Sequence, residues 1–292
     1  MATKDFAHLH VHTEYSMLDG AARLGDLFSY AKELGMSSMA TSDHGFLFGA
    51  FDFWRQAKAH DIKPIIGVEA YLTPGTHRTD RSRVRWGDGS RDDVSGGGAY
   101  THMTMWAETT EGMHNLFRAS SIASLEGQLY KPRMDREVLQ TYSKGLIATT
   151  GCPSGEIQTR LRLGQFDEAL QAASDFRDIF GKDNFYCEVM DHGLDIERNV
   201  QEDLHRLAKQ LNLPYVATND LHYTRQEDHT AHAALLCVQS GSTLTDPKRF
   251  KFDADNFYLR SPEEMYSIFG DIPGACENTL EIAERCNVEF NT

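Results

Sequence analysis

Seven short segments read as strands, at 6–12, 37–42, 64–69, 99–106, 145–150, 184–189 and 214–219, and most have helical patterns between them. Strands that alternate with helices pair in parallel, which narrows the fold sharply. Leu24, Leu27, Phe28, Ala31 and Leu34 fall at helical spacing in 22–35, and the pattern stops at Gly35. Phe166, Ala169, Leu170, Ala173, Phe176 and Phe180 repeat it before Gly181. Ile196, Val200, Leu204, Leu207 and Leu211 repeat it after Asp195, a possible cap. Seven such units without a Gly-x-Gly-x-x-Gly turn favour a closed or nearly closed barrel over an open doubly wound sheet. The predicted class is therefore α/β.

Two regions break the alternation. Residues 73–98 form a long loop rich in Gly, Arg and Asp, with Arg78, Arg81, Arg83 and Arg85 set against Asp80. A loop of this length is either solvated or functional; both readings stay open, the functional one being contact with nucleic acid or a partner. Near the end, Ser261, Pro262 and Glu264 spell a capping box with proline at the first helical position. A second helix follows at about 274–286. The chain divides into a barrel at 1–260 and a helical extension at 261–292. It stops at Asn291-Thr292 without a closing element, so a longer protein is expected.

Composition limits the function. No apolar run approaches the roughly 18 residues of a membrane span, and the first residues lack the apolar core of a secretory signal. The five cysteines are odd in number and widely spaced, with no Cys-x-x-Cys pair. Neither a disulfide framework nor a zinc ribbon is indicated, and a reducing cytoplasm is the simplest setting. The net charge of −14 argues against avid DNA binding by the chain alone. It leaves room for a carboxylate-lined site neutralised by cations.

The chemistry concentrates at strand ends. In 6–12, His8, His10 and His12 alternate with Ala7, Leu9 and Val11, so period two puts all three imidazoles on one face. Imidazoles facing a core are costly unless ligated or hydrogen-bonded; a His-rich surface strand is the alternative. Asp19 follows in a turn. His44 lies past the second strand, in Thr41-Ser42-Asp43-His44-Gly45, and Glu69 ends the third. His102 shares a face with Tyr100, Thr104 and Trp106. Cys152 follows the fifth strand, and Asp220 and His222 follow the seventh. Active sites of parallel barrels lie at the carboxyl ends of the strands, so these residues are expected to meet. His10, His12, Asp19, His44, Glu69, His102, Cys152, Asp220 and His222 exceed one tetrahedral site and suit two or three divalent cations. Mixed N, O and S donors fit zinc, manganese or iron better than magnesium alone, though magnesium stays possible. His8 reads as packed core. Glu188 and His192 read as supporting or substrate contacts, and His60, His77, His114, His205, His229 and His232 as exposed.

Leu9-His10-Val11-His12 with Tyr15-Ser16 and Asp19-Gly20, then Asp43-His44-Gly45, Glu69, His102, Cys152 and Asp220-Leu221-His222, resemble the PHP (polymerase and histidinol phosphatase) domain. The run Thr150 to Glu156, Met190-Asp191-His192-Gly193, Ala217 to Asp220 and Asp271 to Arg285 further resemble the amino-terminal part of the alpha-subunit family of bacterial replicative DNA polymerase III. The resemblance implies a distorted seven-stranded (β/α)7 barrel with a trinuclear metal site at the carboxyl ends of the strands. It implies metal-dependent phosphoester hydrolysis, specifically 3′–5′ exonuclease proofreading. All nine positions hold competent ligands, whereas some polymerase members have lost several and keep the domain as structure. His12, Asp19 and Asp220 are the expected catalytic residues, and Asp43 is expected to hold a ligand imidazole from behind. Arg78, Arg81, Arg83, Arg85 and His192 are the expected substrate contacts. The implied partners are a DNA primer end, polymerase domains of the same longer chain, and a sliding clamp and other replisome proteins, with no membrane. Two other readings are a metal-binding structural domain without turnover and a small-molecule phosphatase of the histidinol-phosphate type. An amidohydrolase barrel also opens with His-x-His but usually needs a bridging lysine on its fourth strand, and here that strand has His102 and no lysine.

Overall fold

The computed structural model describes residues 4–90 and 92–291; the outermost residues of the two expected domains, 1–3 and 292, and residue 91 lie outside the described residues. Its strands are β1 (Ser38–Thr41), β2 (Lys63–Leu72), β3 (Thr101–Ala107), β4 (Gln128–Leu129), β5 (Lys131–Met134), β6 (Leu146–Thr149), β7 (Phe185–Val189) and β8 (Tyr215–Ala217). β1 pairs parallel with β2, β2 antiparallel with β3, β3 antiparallel with β6, and β6, β7 and β8 parallel in turn. The expected first strand is not regular, but it closes the ring through single bridges. His8 pairs with Met39 of β1, and Val11 with Leu221 just past β8. The result is a distorted α/β barrel of seven staves.

Two expectations need correction. The sheet is not wholly parallel, because β3 opposes both neighbours. A parallel connection needs a crossover to the far end of the sheet. Residues 73–98 instead stay at the end where β2 finishes, so the chain enters β3 from that end. The second omission is the β4–β5 hairpin, whose second strand pairs with the end of β2. It carries Arg133, a buried guanidinium that donates to the carbonyls of Gly127, Ala99, Arg78 and Asp80 at 2.7–3.2 Å. That side chain pins the start and end of the long loop.

The barrel interior is layered. Ala7, Leu9, Ala40, Ile65, Trp106, Ile147, Tyr186 and Val216 give each stave at least one apolar side chain in a single inner cluster. Gly67 makes room for the largest of them, since a Cβ there would lie 2.4 Å from the Trp106 ring. The helix Glu277–Arg285 caps this layer with Ile282 and Ala283, and Cys286 follows it, so the helical extension shares the barrel's core. Two residues further along the strands, period two brings Thr104, Thr149, Glu188 and Thr218 inward, all fully buried. The outer face of the staves packs on helices Leu24–Glu33, Ala50–Ala59, Thr110–Glu126, Phe166–Phe180 and Asp195–Leu211. Among the described residues no helix is long and apolar enough to cross a membrane.

The expectation that three imidazoles share one face also needs correction. The chain bends at His10. Ala7 and Leu9 before it belong to the inner cluster, whereas Val11 after it belongs to the outer one. His8 therefore faces away from His10 and His12. It packs edge-on to Phe6 with centroids 5.0 Å apart and places Nε2 2.8 Å from the Arg260 carbonyl. Burial lowers its pKa to about 4. A depressed histidine pKa contributes stability above the unfolded value of 6.5, lost as pH falls toward the folded value. His8→Gln keeps a donor for Arg260 but cannot titrate. Urea unfolding at neutral and acidic pH should show the unaltered chain losing up to roughly 3 kcal/mol more than the variant across that window. Equal losses would mean that His8 does not contribute.

Candidate metal centre

One mouth of the barrel gathers the expected ligands from six staves and their following turns. Five of those staves deliver them from carboxyl ends. β3 delivers His102 from its amino end, because it runs the other way. His10, His12 and Asp220 form one group of donor atoms, His12, His44 and His222 a second, and His44, Glu69 and His102 a third, each within 4.8 Å. Asp19 adjoins them through Oδ2, 2.8 Å from His44 Nε2, and Cys152 through Sγ, 3.1 Å from Glu69 Oε1. Glu69 is the hub, with His44 Nδ1 at 2.7 Å, His102 Nδ1 at 3.0 Å and His10 Nε2 at 3.4 Å. All nine expected ligands are thus brought together.

The residues behind them set which ring nitrogens face the centre. Glu188 is fully buried, with Thr149 and Thr218 donating to its carboxylate and His10 Nδ1 2.7 Å away. That contact turns His10 Nε2 to the centre. Ser16 gives its hydroxyl proton to Asp43 at 2.7 Å, so its oxygen accepts from His12 Nδ1 at 3.0 Å. His222 donates Nδ1–H to the carbonyl of Asp220 at 2.7 Å. His12 and His222, when neutral, therefore present bare Nε2 lone pairs. His10 Nε2 and His12 Nε2 stand 3.2 Å apart, with Asp220 Oδ1 3.3 and 3.2 Å from them. Asp19 Oδ1 is buried and finds no hydrogen-bond partner among the described residues, whereas the equally buried Asp220 Oδ1 and Glu69 Oε2 face the imidazole nitrogens of His10, His12 and His44. Electron-rich atoms packed this closely need positive charge between them, and the donor set fits divalent cations. Asp220 holds its carboxylate there from a left-handed backbone, φ 44°.

The electrostatics agree. Burial disfavours charge on His44, but hydrogen bonding to Asp19 and Glu69 prevails and holds its pKa up at about 10. Burial, then the charges of His44 and His222, lower His12 to about 3. Burial opposes the Glu69 carboxylate, yet the surrounding imidazoles, His102 foremost, hold its pKa well below the usual range. The Cys152 thiol is pushed up, by burial first and then by Glu69. A bound cation reverses that preference and favours the thiolate. Cys152→Ser should accordingly weaken zinc binding more than manganese binding in competition against a chelating dye. Equal loss for both metals, or none, would make Cys152 a packed thiol.

Several supporting assignments differ from expectation. Among the described residues Asp43 makes no hydrogen bond or ion pair to an imidazole; it reaches His12 through Ser16 and also accepts from Thr13 and Thr41. His192 is buried, with Nδ1 2.6 Å from Glu197, Nε2 2.9 Å from the Asn219 carbonyl, and its ring stacked on Phe257. It braces the turn that carries Asp220. Arg78 is engaged by Glu126, Asp135 and Glu137, Arg81 by the Gln128 carbonyl, and Arg83 by Gly96, Gly97 and Tyr130. Only Arg85 of the four lines the cleft over the site, a hollow of about 700 Å³ walled by the long loop, Tyr71, Tyr100 and Lys131. His232, expected to be exposed, is buried beside the centre with Nε2 2.8 Å from the Asp19 carbonyl. Its i,i+4 relation to buried Leu236 on helix His229–Ser240 was the available signal.

Fold and donor set together define an α/β barrel with side-chain clusters at one mouth that are compatible with a metal site. The sequence profile of the PHP domain matches residues 8–192, and the chain belongs to that family. It is 58% identical over 295 residues to DNA polymerase III subunit alpha of Saccharopolyspora erythraea, covering 98% of this chain and 25% of that protein. It is 55% identical over 288 residues to the same subunit of Mycobacterium tuberculosis, covering 97% and 24%. The chain thus spans about a quarter of the length of the curated relatives it matches. Among solved structures, an amidohydrolase from Chromobacterium violaceum is similar at a TM-score of 0.44 and 13% identity, covering 74% of this chain and 87% of that one.

Proposed function

We propose that this chain is the metal-dependent phosphodiesterase domain of a DNA polymerase III alpha subunit, acting as a 3′–5′ exonuclease on a DNA primer end. The observation that carries the reading is the convergence of oriented imidazoles with the buried carboxylate oxygens of Asp19, Glu69 and Asp220 beneath an open cleft. Two or three divalent cations (zinc, manganese or iron, with magnesium possible) supply Lewis acidity and an activated water when bound there.

The chain's own residues do the rest. Asp19, Glu69 and Asp220 supply negative charge, and His10, His12, His44, His102, His222 and Cys152 complete the donor set. Glu188 and the Asp43–Ser16 pair keep His10 and His12 in register. Arg85 and Lys131 line the cleft and bring positive charge to a phosphate backbone, as an acidic chain needs. In this reading polymerase domains of the same longer chain present the primer end, with a sliding clamp and other replisome proteins as cytoplasmic partners.

The test is a time course on an end-labelled single-stranded or mismatched primer with manganese or zinc. A phosphomonoester is assayed in parallel. Shortening from the 3′ end is expected. Hydrolysis of the monoester alone would support a small-molecule phosphatase, and metal binding without any hydrolysis a structural domain.

A further inference from the structure

The cleft carries an aromatic ring that the hydrolytic reading leaves unused. Phe250 is 54% exposed and lines the same hollow as Asp19, His44 and His102. It belongs to neither hydrophobic cluster of the fold. An exposed large ring at the mouth of a charged cleft gains little from the hydrophobic effect unless something covers it.

Its support is ordered. Phe252 meets Phe250 edge-on at 6.2 Å, and itself packs edge-on against His222 and His232, both at 4.8 Å, and against Phe257 at 4.6 Å. The ring therefore stands on a column that ends on a metal-site histidine. The local sequence is Lys248-Arg249-Phe250-Lys251, a basic and aromatic run in a chain of net charge −14. Lys248 and Arg249 form no ion pair among the described residues, and Lys251 reaches only Asp253, at 3.9 Å. Arg85 and Lys131 line the same cleft. Arg85 and Lys131 in the same cleft as one exposed ring, leading to the proposed hydrolytic centre, match the chemistry of a single-stranded nucleic acid: phosphates for the cations, a base face for the ring.

We propose that Phe250 is the stacking platform for the unpaired terminal base of a nucleic acid strand whose end lies in the cleft. The inference rests on the phosphodiesterase reading and adds how the site selects its substrate. A base in a duplex is already stacked, so a platform of this kind favours frayed or mismatched ends over paired ones.

The test measures binding of a short labelled oligothymidylate whose terminal linkage is a phosphorothioate, which resists hydrolysis. Metal-loaded unaltered chain, Phe250→Ala, Phe250→Leu and Phe250→Trp are compared, each with a normal and an abasic terminal sugar. Stacking typically makes Phe250→Ala weaken binding of the normal end about tenfold or more. Phe250→Trp should retain affinity and Phe250→Leu should not. Removing the base should weaken the unaltered chain similarly, and the two losses should overlap instead of adding. Additive losses, full affinity in the leucine variant, or no binding by the unaltered chain would overturn the platform. Binding that depends on Phe250 without hydrolysis of any ordinary oligonucleotide would overturn the phosphodiesterase reading alone.

Discussion

Asp19→Asn should lower 3′–5′ degradation of a single-stranded or mismatched primer end by at least ~10²-fold, the scale of losing one strong electrostatic catalyst. Asparagine fills nearly the same space and keeps an oxygen, so the change is mainly one of charge. Oδ2 of Asp19 is fixed by His44 Nε2 at 2.8 Å, while Oδ1 is buried without a partner. The backbone carbonyl that receives His232 is untouched, so the turn should keep its shape. His12→Ala should have an effect of the same order by a different route. It removes a lone pair shared by two donor groups and leaves a cavity among His44, His222 and Asp220. Circular dichroism should show both variants folded, with His12→Ala the less stable because of the cavity. Asp19→Asn protein that shortens primers as fast as the unaltered chain would place the nuclease elsewhere and favour the structural-domain reading.

The convergence of these side chains was legible because the staves repeat one gradient. Ile147 to Thr149, Tyr186 to Glu188, and Val216 to Thr218 to Asp220 each step from apolar to polar at period two. Reading Tyr100, His102, Thr104 and Trp106 as one face used the same rule. What stayed hidden depends on contacts distant in sequence. The reversed direction of β3 follows from where the 73–98 loop travels, and Arg133, some fifty residues beyond the loop's first arginines, holds it there. The buried role of His192 needs Glu197, Asn219 and Phe257 at once. The loop arginines looked equivalent by composition. Geometry separates Arg78, Arg81 and Arg83, which are engaged within the fold, from Arg85, which lines the cleft. The single face expected for His8, His10 and His12 failed at one bend, because period two carries no memory across a kink.

Chelation should lower the melting temperature by about 10 °C or more. A ligand that binds only the folded state adds RT ln(1 + [L]/Kd), about 4 kcal/mol at a thousandfold excess over Kd. For a chain of this size each kcal/mol moves the melting temperature by roughly 2–4 °C. The donor groups come from both ends of the sequence, His10 and His12 near one and Asp220 and His222 near the other. The unfolded chain cannot assemble them, so metal binding and barrel closure are coupled. Glu69 is the residue on which this coupling should depend most. It reaches His10, His44, His102 and Cys152, and so ties β2 to the first stave, the turn after β1, β3 and the turn after β6. Glu69→Gln keeps the volume and discards the charge. Elemental analysis should find more than one transition metal per unaltered chain and fewer per variant chain. The rise in melting temperature on adding zinc or manganese to chelated protein should be large in the unaltered chain and mostly lost in Glu69→Gln. A metal-free unaltered chain whose melting temperature ignores both cations would remove the metal centre and the phosphodiesterase reading together. Equal metal content and equal shifts in both proteins would instead remove only Glu69 from the centre.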